Sequence, residues 1–420
     1  MRRIPHVADG LFGSNGNFTV YGNRERTHIM STTNRTIVEI HALETTAAAN
    51  LNRDDTGSPK TVEYGGYTRA RVSSQAWKRP TRMMFRDSFD ASDLGVRTKH
   101  VVEILGDRIM SRDPEIGRET AIGIAECVLR DGAGIKLDKP RKKKDADDNA
   151  DNDVSQSKYL LFMGNRQYDQ LTDIAIDALG TEDPAKTVKS NKKTIKQIVM
   201  NDRSIDVAMF GRMVADDTDL NVDAAAQVAH AISVQAIEPE SDFFTAVDDK
   251  QDRGDEDGAG DAGAAMIGQV EFNAATFYRY ANVDANRLND TLGDVAATAK
   301  AVSVFVRSFV SSMPQGKSNS FANGTLPDLI VVNVRDTQAV NLVGAFERPV
   351  EPDYVQHATE ALVKRERDFD NVYGITPVKT WVVRIGQDTE AADSLVESPS
   401  TLKEMLEGVE QVVASRLNQE

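Results

Sequence analysis

A long interruption between two strand-like segments limits the folds open to this chain. Residues 238–268 are acidic and rich in glycine, and they separate a short apolar stretch, 229–236, from an aromatic, alternating stretch, 272–283. A loop of that length with no structure of its own is uncommon in a compact domain and is usually functional or disordered. A strand, a long excursion and a second strand are the pattern of an extended hairpin arm. We therefore expect a sheet domain from which one hairpin projects.

Strand and helix signals alternate along the remainder of the chain. A strand-like run at 36–43 is followed by a predicted loop at 45–66, and residues 97–204 have a mostly helical pattern. Later segments predict strands at 204–213, 328–334 and 378–385, and helices at 287–313, 354–369 and 402–417. This order predicts an α+β sheet domain with a helical insertion.

Composition is that of a soluble globular protein. The chain has 420 residues, 40% of them hydrophobic and 27% charged, which allows a sizeable core and two or three structural units. No apolar run approaches the roughly 18 residues that a membrane span needs, so we expect no membrane partner. Cys127 is the only cysteine, which excludes an internal disulfide and a cysteine-based zinc cluster and fits a reducing cytoplasm. Residues 1–29 lack the apolar core of a secretory signal, and we expect Met30 to be a natural start and residues 1–29 to be an upstream-translated or a flexible extension.

Charge is distributed unevenly along the chain. The net charge of −15 argues against a protein coated with positive charge for nucleic acid, but the acids are concentrated at 145–153 and 248–261. All charged residues of segment 69–86 are basic, which predicts a local positively charged surface on an otherwise acidic protein. Segment 139–153 is charged and of low complexity, and is predicted to be a disordered loop.

The segment 73–86 gives the strongest chemical signal. Ser73 is a suitable helix N-cap, and Lys78, Arg82 and Arg86 recur every four residues, which places them on one helical face. Backbone amides at the start of such a helix can bind a phosphate, and basic side chains along it add charge. This pattern favours a phosphate-binding helix.

Three further residues of the segment bear on that interpretation. Gln75 and Arg79 add a neutral and a charged donor to the same segment. Pro80 should kink or shorten the helix, because proline removes a backbone donor. An ordinary solvated helix face is the alternative to a phosphate site.

The pair Phe243–Phe244 gives a second signal, because it lies at the start of the acidic interruption, where burial in a core is less assured. Exposed aromatic rings can stack on bases or wedge between them. Packing within the hairpin arm is the alternative.

Other candidate residues are weaker. The adjacent acids Asp54–Asp55 and Asp248–Asp249 could hold a metal or act as a general base, but acids on loops are more often solvated or capping groups. His230 and His41 have apolar neighbours, which indicates packed core histidines rather than ligands.

Two glycine motifs do not predict a nucleotide site. Gly258, Gly260 and Gly263 match the dinucleotide spacing, but acidic residues precede them instead of a strand, which favours a linker. Residues 316–318 (GKS) resemble the end of a P-loop, but Ser311 occupies the position of its first glycine and Pro314 lies inside it.

Several longer motifs occur in order from about residue 36 to the C-terminal region. They are residues 51–55 (LNRDD), 64–66 (YGG), 69–79 (RARVSSQAWKR), 206–213 (DVAMFGRM), 229–232 (AHAI), 243–249 (FFTAVDD) and 277–282 (FYRYAN). Together they resemble the CasC family, the backbone subunits of type I-E Cascade, a CRISPR-associated surveillance complex. The ordered set is far more specific than any single motif.

The resemblance implies a hand-shaped α+β fold. A palm of the RNA-recognition-motif (ferredoxin-like) type would carry a helical finger insertion and a β-hairpin thumb. The expected parts are the extension at 1–29, palm segments at 30–92, 205–236 and 272–420 with C-terminal helices in the last, fingers at 93–204 and a thumb at 237–271.

The resemblance also implies the function. Copies would polymerise head to tail along the guide RNA (crRNA) beside other Cascade subunits, kinking the guide at intervals so that its segments pair with target DNA. Guide–target pairing would read the sequence, and the chain would be a non-catalytic scaffold with no cofactor and no metal. The implied RNA-binding residues are Arg53, Ser73, Gln75, Lys78, Arg79 and Arg82, with Lys60 and Lys317 as further phosphate contacts, and Met213, Phe243, Phe244 and Thr245 at the kinked nucleotide.

Two rival functions stay open at this point. A guide-dependent ribonuclease would use Asp54 or Asp55 on target RNA, since both acids lie in the loop after the first predicted strand. A plain α+β small-molecule enzyme would purify without nucleic acid.

Overall fold

The computed structural model describes residues 35–139, 154–201, 204–214, 218–246 and 266–419, and all of them belong to one compact unit. The predictions made for the extension 1–29, for the glycines near 260 and for the acid pair Asp248–Asp249 lie outside the described residues. So does nearly all of the charged segment 139–153.

The strands are short, and most of them belong to one sheet. They are β1 (Ile37–Thr45), β2 (Thr61–Tyr64), β3 (Tyr67–Val72), β4 (Gly95–Thr98), β5 (Leu137–Asp138), β6 (Gln156–Ser157), β7 (Leu161–Gly164), β8 (Ala226–Val228), β9 (Ala231–Ser233), β10 (Glu240–Ala246), β11 (Met266–Phe272), β12 (Thr276–Asp284), β13 (Leu329–Arg335) and β14 (Lys379–Arg384). The main sheet has eight strands in the order β14-β13-β1-β12-β9-β3-β2, with β8 also paired to β12. All of its pairs are antiparallel. Smaller two-stranded sheets join β4 to β7, β5 to β6 and β10 to β11.

Helices occur between the strands and after them. They are α1 (Ser74–Met84), α2 (Val101–Arg112), α3 (Arg118–Cys127), α4 (Asn165–Leu179), α5 (Pro184–Ser190), α6 (Lys192–Met200), α7 (Ile205–Phe210), α8 (Ala285–Leu292), α9 (Val295–Ser311), α10 (Ser318–Phe321), α11 (Tyr354–Tyr373) and α12 (Leu402–Leu417). A π-turn, Val128–Gly132, extends α3, and a 3-10 turn, Phe85–Asp87, extends α1. Helices α2 to α6, with the β4–β7 pair, enclose a hydrophobic core separate from that of the main sheet.

The centre of the main sheet is covered on both faces. Val38 and Ile40 of β1 pack with α8, α9 and α12, whereas Leu43 packs with α11 on the opposite face. Strands buried on both faces read as near-continuous apolar runs, which is why β1 has a strong sequence signal. Glu39 interrupts that run but is buried beside Arg335, whose Nε donates to its carboxylate at 2.6 Å.

The mixed fold with an antiparallel sheet and many helices agrees with the sequence analysis. The strands predicted at 36–43, 328–334 and 378–385 are confirmed with small shifts of their ends, and α12 coincides with the helix predicted at 402–417. The helix predicted at 354–369 is longer and ends at Tyr373.

The strand predicted at 204–213 is wrong, because Ile205–Phe210 is helix α7. Every residue of α7 except Phe210 is buried, so no amphipathic period marks the helix in the sequence. A short run that is buried almost throughout cannot be assigned by periodicity alone.

Two further predictions need correction. The loop predicted at 45–66 contains β2, which turns into β3 through Gly65 and Gly66, both with positive φ. The single helix predicted at 287–313 is two helices, since α8 ends at Gly293 (φ 69°) and the carboxylate of Asp294 caps α9. Gly293 is the left-handed residue that commonly ends a helix.

Candidate nucleic-acid interface

Helix α1 follows β3 directly, and its first turn is fixed by three hydrogen bonds. The Ser73 hydroxyl accepts from the amide of Ala76 (3.4 Å), as an N-cap does. The amide of Ser73 donates to the side-chain oxygen of Asn52 (2.9 Å), and the amide of Ser74 donates to Nδ1 of His230 (3.0 Å). The start of the helix is thereby tied to the loop before β2 and to the segment before β9. Ser73 is buried and serves as the cap.

The inner face of α1 is anchored on a buried arginine. Trp77 is fully buried, and the guanidinium of Arg279, on β12, lies 3.7 Å from the centroid of a Trp77 ring. The same guanidinium forms a buried ion pair with Glu44 of β1. One turn further along α1, the hydroxyls of Thr81 and Ser312 are 3.1 Å apart and share a hydrogen bond. These contacts fix the rotation of α1 and direct its other face outward.

Pro80 neither ends nor shortens this helix, which continues to Met84. The prediction that proline would shorten it is therefore wrong. The tertiary contacts of Trp77 before Pro80 and of Thr81 after it hold the backbone helical where the amide is missing.

The outer face of α1 carries the predicted phosphate contacts Gln75, Lys78 and Arg79. Gln75 and Arg79 are exposed, and Lys78 is half-buried. Burial lowers the pKa of the Lys78 ammonium. Within the described part of the chain, neither cation has a carboxylate partner within 4.0 Å, so both charges are available to a ligand.

Arg82 is held differently from its neighbours. Its side chain is 18% exposed, and its guanidinium lies 4.0 Å from the carboxylate of Asp206 and 5.2 Å from the centroid of the Phe162 ring. Asp206 also accepts a hydrogen bond from the amide of Gly95 (2.8 Å). Arg82 thus joins α1 to α7 and to the β4–β7 pair.

The loop between β1 and β2 contains Arg53 and Lys60. Arg53 is exposed and forms an isolated antiparallel bridge with Pro59, which closes the loop. Lys60 is half-buried, and its amide donates to the carbonyl of Asn52 at 2.9 Å. Asn52 therefore connects Lys60 to the capped start of α1.

Asp54 organises the same loop. One carboxylate oxygen accepts from the amide and hydroxyl of Thr56 (2.9 and 2.7 Å) and from the amide of Ser58 (3.0 Å). The hydrogen bonds from Thr56 lower the pKa of Asp54. This carboxylate is a loop cap, which was the structural alternative predicted for it. No group of three or more His, Cys, Asp or Glu side chains placed to hold a metal occurs among the residues described.

The two histidines have different environments. His41 is fully buried with Nδ1 2.8 Å from the Tyr278 hydroxyl, which confirms a core histidine. His230 is exposed, so the prediction of a packed core residue is wrong for it. A backbone amide can only donate, so Nδ1 of His230 is unprotonated and the neutral ring carries its proton on Nε2. Partial desolvation of the ring, which is only partly covered, lowers the pKa of His230, and the charges of Arg71 and Lys60 lower it further.

A cleft of about 900 Å³ separates α1 from the chain that follows α9. Gln75, Arg79 and Met83 line one wall, and parts of residues 311–324 line the other. At Gly316, which lines the cleft, a Cβ would lie 2.4 Å from the carbonyl oxygen of Leu51. The glycine of the GKS sequence is therefore required for close backbone packing.

Lys317 follows this close approach in the left-handed region, with φ 51°. It is half-buried. Gly316, the residue before it, also lines a smaller hollow together with the loop of Arg53. The backbone of Lys317 thus lies where the cleft and this hollow meet.

Met213 is presented on a short segment after α7. It is 84% exposed, whereas Arg212 and Val214 on either side of it are buried. Arg212 donates to the carbonyls of Leu220 (2.6 Å) and Val199 (2.8 Å) and holds the segment in place. Alternation of side chains along this extended segment directs Met213 into solvent.

Phe243, Phe244 and Thr245 lie on β10 of the β10–β11 hairpin. Phe243 is 71% exposed and opposes Gln269, whereas Phe244 opposes Gly268. A Cβ on Gly268 would lie 2.3 Å from the Phe244 ring, so that ring covers the glycine. Successive side chains of a strand point to opposite faces, so the two phenylalanines face opposite sides of the hairpin.

The predicted residues thus fall into two sets. Gln75, Lys78 and Arg79 lie on the outer face of α1, where Gln75 and Arg79 line the cleft, and the loop of Arg53 is joined to the start of that helix. Met213 and the hairpin residues lie on other elements. Met213 follows Phe210, whose ring is 5.5 Å from that of Phe85, the residue after α1.

Sequence reasoning missed the residues that position the helix. Trp77, Thr81 and Phe85 are buried at a spacing of four, and this stripe was the available signal for the inner face. His230 and Arg279 are distant from α1 in the sequence, and nothing local in the sequence indicates their contacts with it.

Solved structures show the same fold. One, titled "CRISPR RNA-guided surveillance complex, pre-nicking", contains a chain that is 31% identical to this protein, with a TM-score of 0.75. The match covers 90% of this chain and 100% of the other. A second, titled "CRISPR RNA-guided surveillance complex", matches at 27% identity and a TM-score of 0.65, covering 89% and 99%. No curated protein matches this chain.

The fold is therefore that of chains found in CRISPR RNA-guided surveillance complexes. The model of the CT1975-like protein family matches residues 38–408, and the chain belongs to that family. This confirms the resemblance to the CasC family on which the sequence analysis relied. None of the described helices is both long and apolar enough to cross a bilayer.

Proposed function

We propose that this protein is a non-catalytic backbone subunit of a type I-E CRISPR surveillance complex that binds crRNA through α1. The observation that carries the proposal is the outer face of α1, where neither Lys78 nor Arg79 has a carboxylate partner among the described residues and Arg79 lines a cleft, while Trp77 anchors the inner face. Charge on an immobilised helix can bind phosphates without first being ordered, which lowers the entropic cost of binding.

The chemistry of this face fits a phosphodiester strand. Lys78 and Arg79 would neutralise phosphates, Gln75 would donate neutral hydrogen bonds, and Arg53, Lys60 and Lys317 would extend the contact on the loop side. Base edges need not be read there, because guide–target pairing supplies sequence recognition.

The remaining predicted contacts would act at the kinked nucleotide. Met213, Phe243, Phe244 and the Thr245 backbone would lie where bases are unstacked. Phe243 is the best placed of the hairpin residues for that task, because it is exposed and does not cover Gly268. Stacking of one ring on a base contributes roughly 1–3 kcal/mol.

The proposed parts of the hand follow from the elements present. The palm, of the RNA-recognition-motif type, would consist of 30–92, 205–236 and 272–420, the fingers of 93–204 and the thumb of 237–271. The separate core of α2 to α6 supports the finger assignment. The two-stranded sheet of β10 and β11 supports the thumb. Copies would join head to tail on crRNA in the cytoplasm, with other Cascade subunits, and would meet target DNA through the guide.

One experiment tests the grip. The chain is purified from its host, and the ratio of absorbance at 260 to 280 nm is measured for the wild type and for a Lys78→Ala, Arg79→Ala double variant. We expect bound RNA with the wild type and a clear loss with the double variant. Wild-type protein that is free of nucleic acid would contradict the proposal and favour a small-molecule enzyme.

A second experiment separates scaffold from ribonuclease. Asp54→Ala and Asp55→Ala variants are assayed for cleavage of RNA complementary to the guide. Because Asp54 is occupied by Thr56 and Ser58, we expect no cleavage by the wild type or by either variant. Cleavage by the wild type that is lost with Asp54 or Asp55 would establish the catalytic rival.

A further inference from the structure

We propose that Arg86 and Arg97, with Arg79 and Arg82, form an additional phosphate-binding site for a nucleic-acid strand at the C-terminal end of α1. The proposal rests on the proposed function, because it extends the same grip to a second element. Arg86 and Arg97 are not among the guide-gripping residues that the family resemblance implies.

The register of the β4–β7 pair brings Arg97 to this position. Arg97 and Phe162 are directly opposed in that antiparallel ladder. Directly opposed side chains project from the same face with their Cβ atoms about 4.5–5.5 Å apart. The guanidinium of Arg82 lies over the Phe162 ring, 5.2 Å from its centroid. Arg97 therefore lies beside Arg82, although the two residues belong to different elements.

Helical spacing brings the other two arginines to the same place. Arg79 precedes Arg82 by three residues and Arg86 follows it by four, and residues at these spacings are neighbours on a helix surface. Arg86 lies in the 3-10 turn that continues α1. The pKa of Arg82 is lowered by burial and also by the charges of Arg86, Arg97 and Arg79, which agrees with this clustering.

The charges of the cluster are not balanced within the described chain. The carboxylate beside it belongs to Asp206, which lies 4.0 Å from Arg82 and is also engaged by the Gly95 amide. Arg79, Arg86 and Arg97 are exposed, and no carboxylate of the described residues lies within 4.0 Å of them. Like charges gathered in this way favour binding of an anion.

Phosphate fits this cluster best. The guanidinium group presents a planar fork of donors that matches two phosphate oxygens and is only weakly hydrated. With 11 residues, α1 is about 16 Å long. Arg86 lies eight residues beyond Lys78, about 12 Å along the helix. Arg86 and Arg97 would therefore engage a different phosphate of the same strand, and Arg79, one residue after Lys78, would lie between the two positions.

The test measures binding by the full-length chain to a labelled single-stranded RNA and, separately, to the same RNA annealed to complementary DNA. Fluorescence anisotropy is recorded at several NaCl concentrations for Arg97→Ala, Arg86→Ala, Arg97→Lys and Arg97→Glu. Lys364→Ala is the matched control, because it removes one positive charge from α11, on the opposite face of the main sheet. Lys78→Ala tests the proposed grip in parallel.

We expect Arg97→Ala and Arg86→Ala each to weaken binding about three- to tenfold at low salt. Each lost phosphate contact should reduce the slope of log K against log salt by about 0.7 for a single strand. Arg97→Lys should retain most of the affinity, and Arg97→Glu should be weaker than Arg97→Ala. Thermal unfolding of every variant should match the wild type, since both arginines are exposed.

The two ligands identify which strand is bound. Equal losses of affinity for the single-stranded RNA and for the hybrid place the bound phosphate on the RNA. A loss of affinity for the hybrid alone places it on the DNA. If Arg97→Ala and Arg86→Ala behave like Lys364→Ala while Lys78→Ala weakens binding, the additional site is overturned and the proposed function stands. If the wild type binds neither ligand, both are overturned.

Discussion

Helix α1 and the β10–β11 hairpin carry the two sets of predicted guide contacts, yet the protein holds them in opposite ways. The inner face of α1 is buried through Trp77 against Arg279, and its first turn is tied to Asn52 and His230. Strands β10 and β11 pair only with each other within the described residues. Phe243 at the centre of β10 is 71% exposed.

The hairpin is joined to the body mainly at its base. The side-chain amide of Asn50 donates to the carbonyl of Glu271 (2.9 Å), and the rings of Phe272 and Phe321 are 5.9 Å apart. An isolated two-stranded hairpin is marginally stable in water. The difference would suit the two proposed tasks, because cations that are already held in place can bind a phosphate at little entropic cost, whereas an exposed ring would gain contacts from a base that stacks on it.

The largest effect that we expect is a difference between helix α1 and the β10–β11 hairpin in their contribution to the free energy of unfolding. Trp77→Ala should lower the free energy of unfolding by about 3–5 kcal/mol, because it removes a fully buried indole and leaves a cavity. Phe243→Ala, its matched control on the hairpin, should change it by less than about 0.5 kcal/mol. Urea denaturation followed by circular dichroism measures both values. Equal losses would show that the hairpin is as firmly packed as the helix.

The second prediction concerns the arginine beneath α1. Arg279→Met should destabilise the protein by about 3 kcal/mol, because the buried carboxylate of Glu44 then has no cationic partner. Adding Glu44→Gln to that variant should restore part of the loss, since the unpaired charge is removed. A double-mutant cycle by urea denaturation measures the coupling. Additive losses would mean that the pair does not hold the helix.

The third prediction concerns the hairpin alone. Phe244→Ala should weaken the hairpin by about 0.5–1 kcal/mol, because its ring covers Gly268 across the strands. Amide hydrogen exchange should become faster in β10 and β11 while protection of β1 and β12 is unchanged. Phe243→Ala should leave exchange near the wild-type rate and act only on RNA binding. Equal acceleration by both variants would contradict the opposite facing of the two rings.

Much of the fold could be predicted from the sequence, because burial leaves a local pattern. The strand β1 was found because it reads as a near-continuous apolar run, and the helix α12 because its apolar residues recur at the period of a helix. Helix α7 was missed because it is buried almost throughout, so no polar face reveals its helical period.

The candidate site was predictable only in part. The basic residues of α1 lie close together in the sequence, so their spacing indicated one helical face. Which of their charges are available to a ligand depends on partners that are distant in the sequence. Arg82 is paired with Asp206, which the spacing does not reveal, whereas the N-cap predicted at Ser73 is confirmed. Arg97 was missed because its proximity to Arg82 arises from the register of β4 with β7.

The smallest effect that we predict concerns His230 at the fixed end of α1. Its folded pKa is lowered by partial desolvation of the ring and by the charges of Arg71 and Lys60, so as pH falls the unfolded chain is protonated first. The stabilisation from the neutral ring is complete above the ordinary pKa of about 6.5 and is lost as pH falls through the folded value. Protonation of Nδ1 also removes the acceptor for the Ser74 amide.

The pKa of His230 can be measured by NMR titration of its imidazole nitrogens. We expect a midpoint below the ordinary value, with the neutral ring protonated on Nε2. Arg71→Ala should raise the midpoint, whereas Lys364→Ala, which removes a charge on the far face of the sheet, should not. A bound phosphate would raise it as well, because an anion favours the protonated ring. A midpoint above the ordinary value in the free protein would mean that the Ser74 amide does not hold this ring.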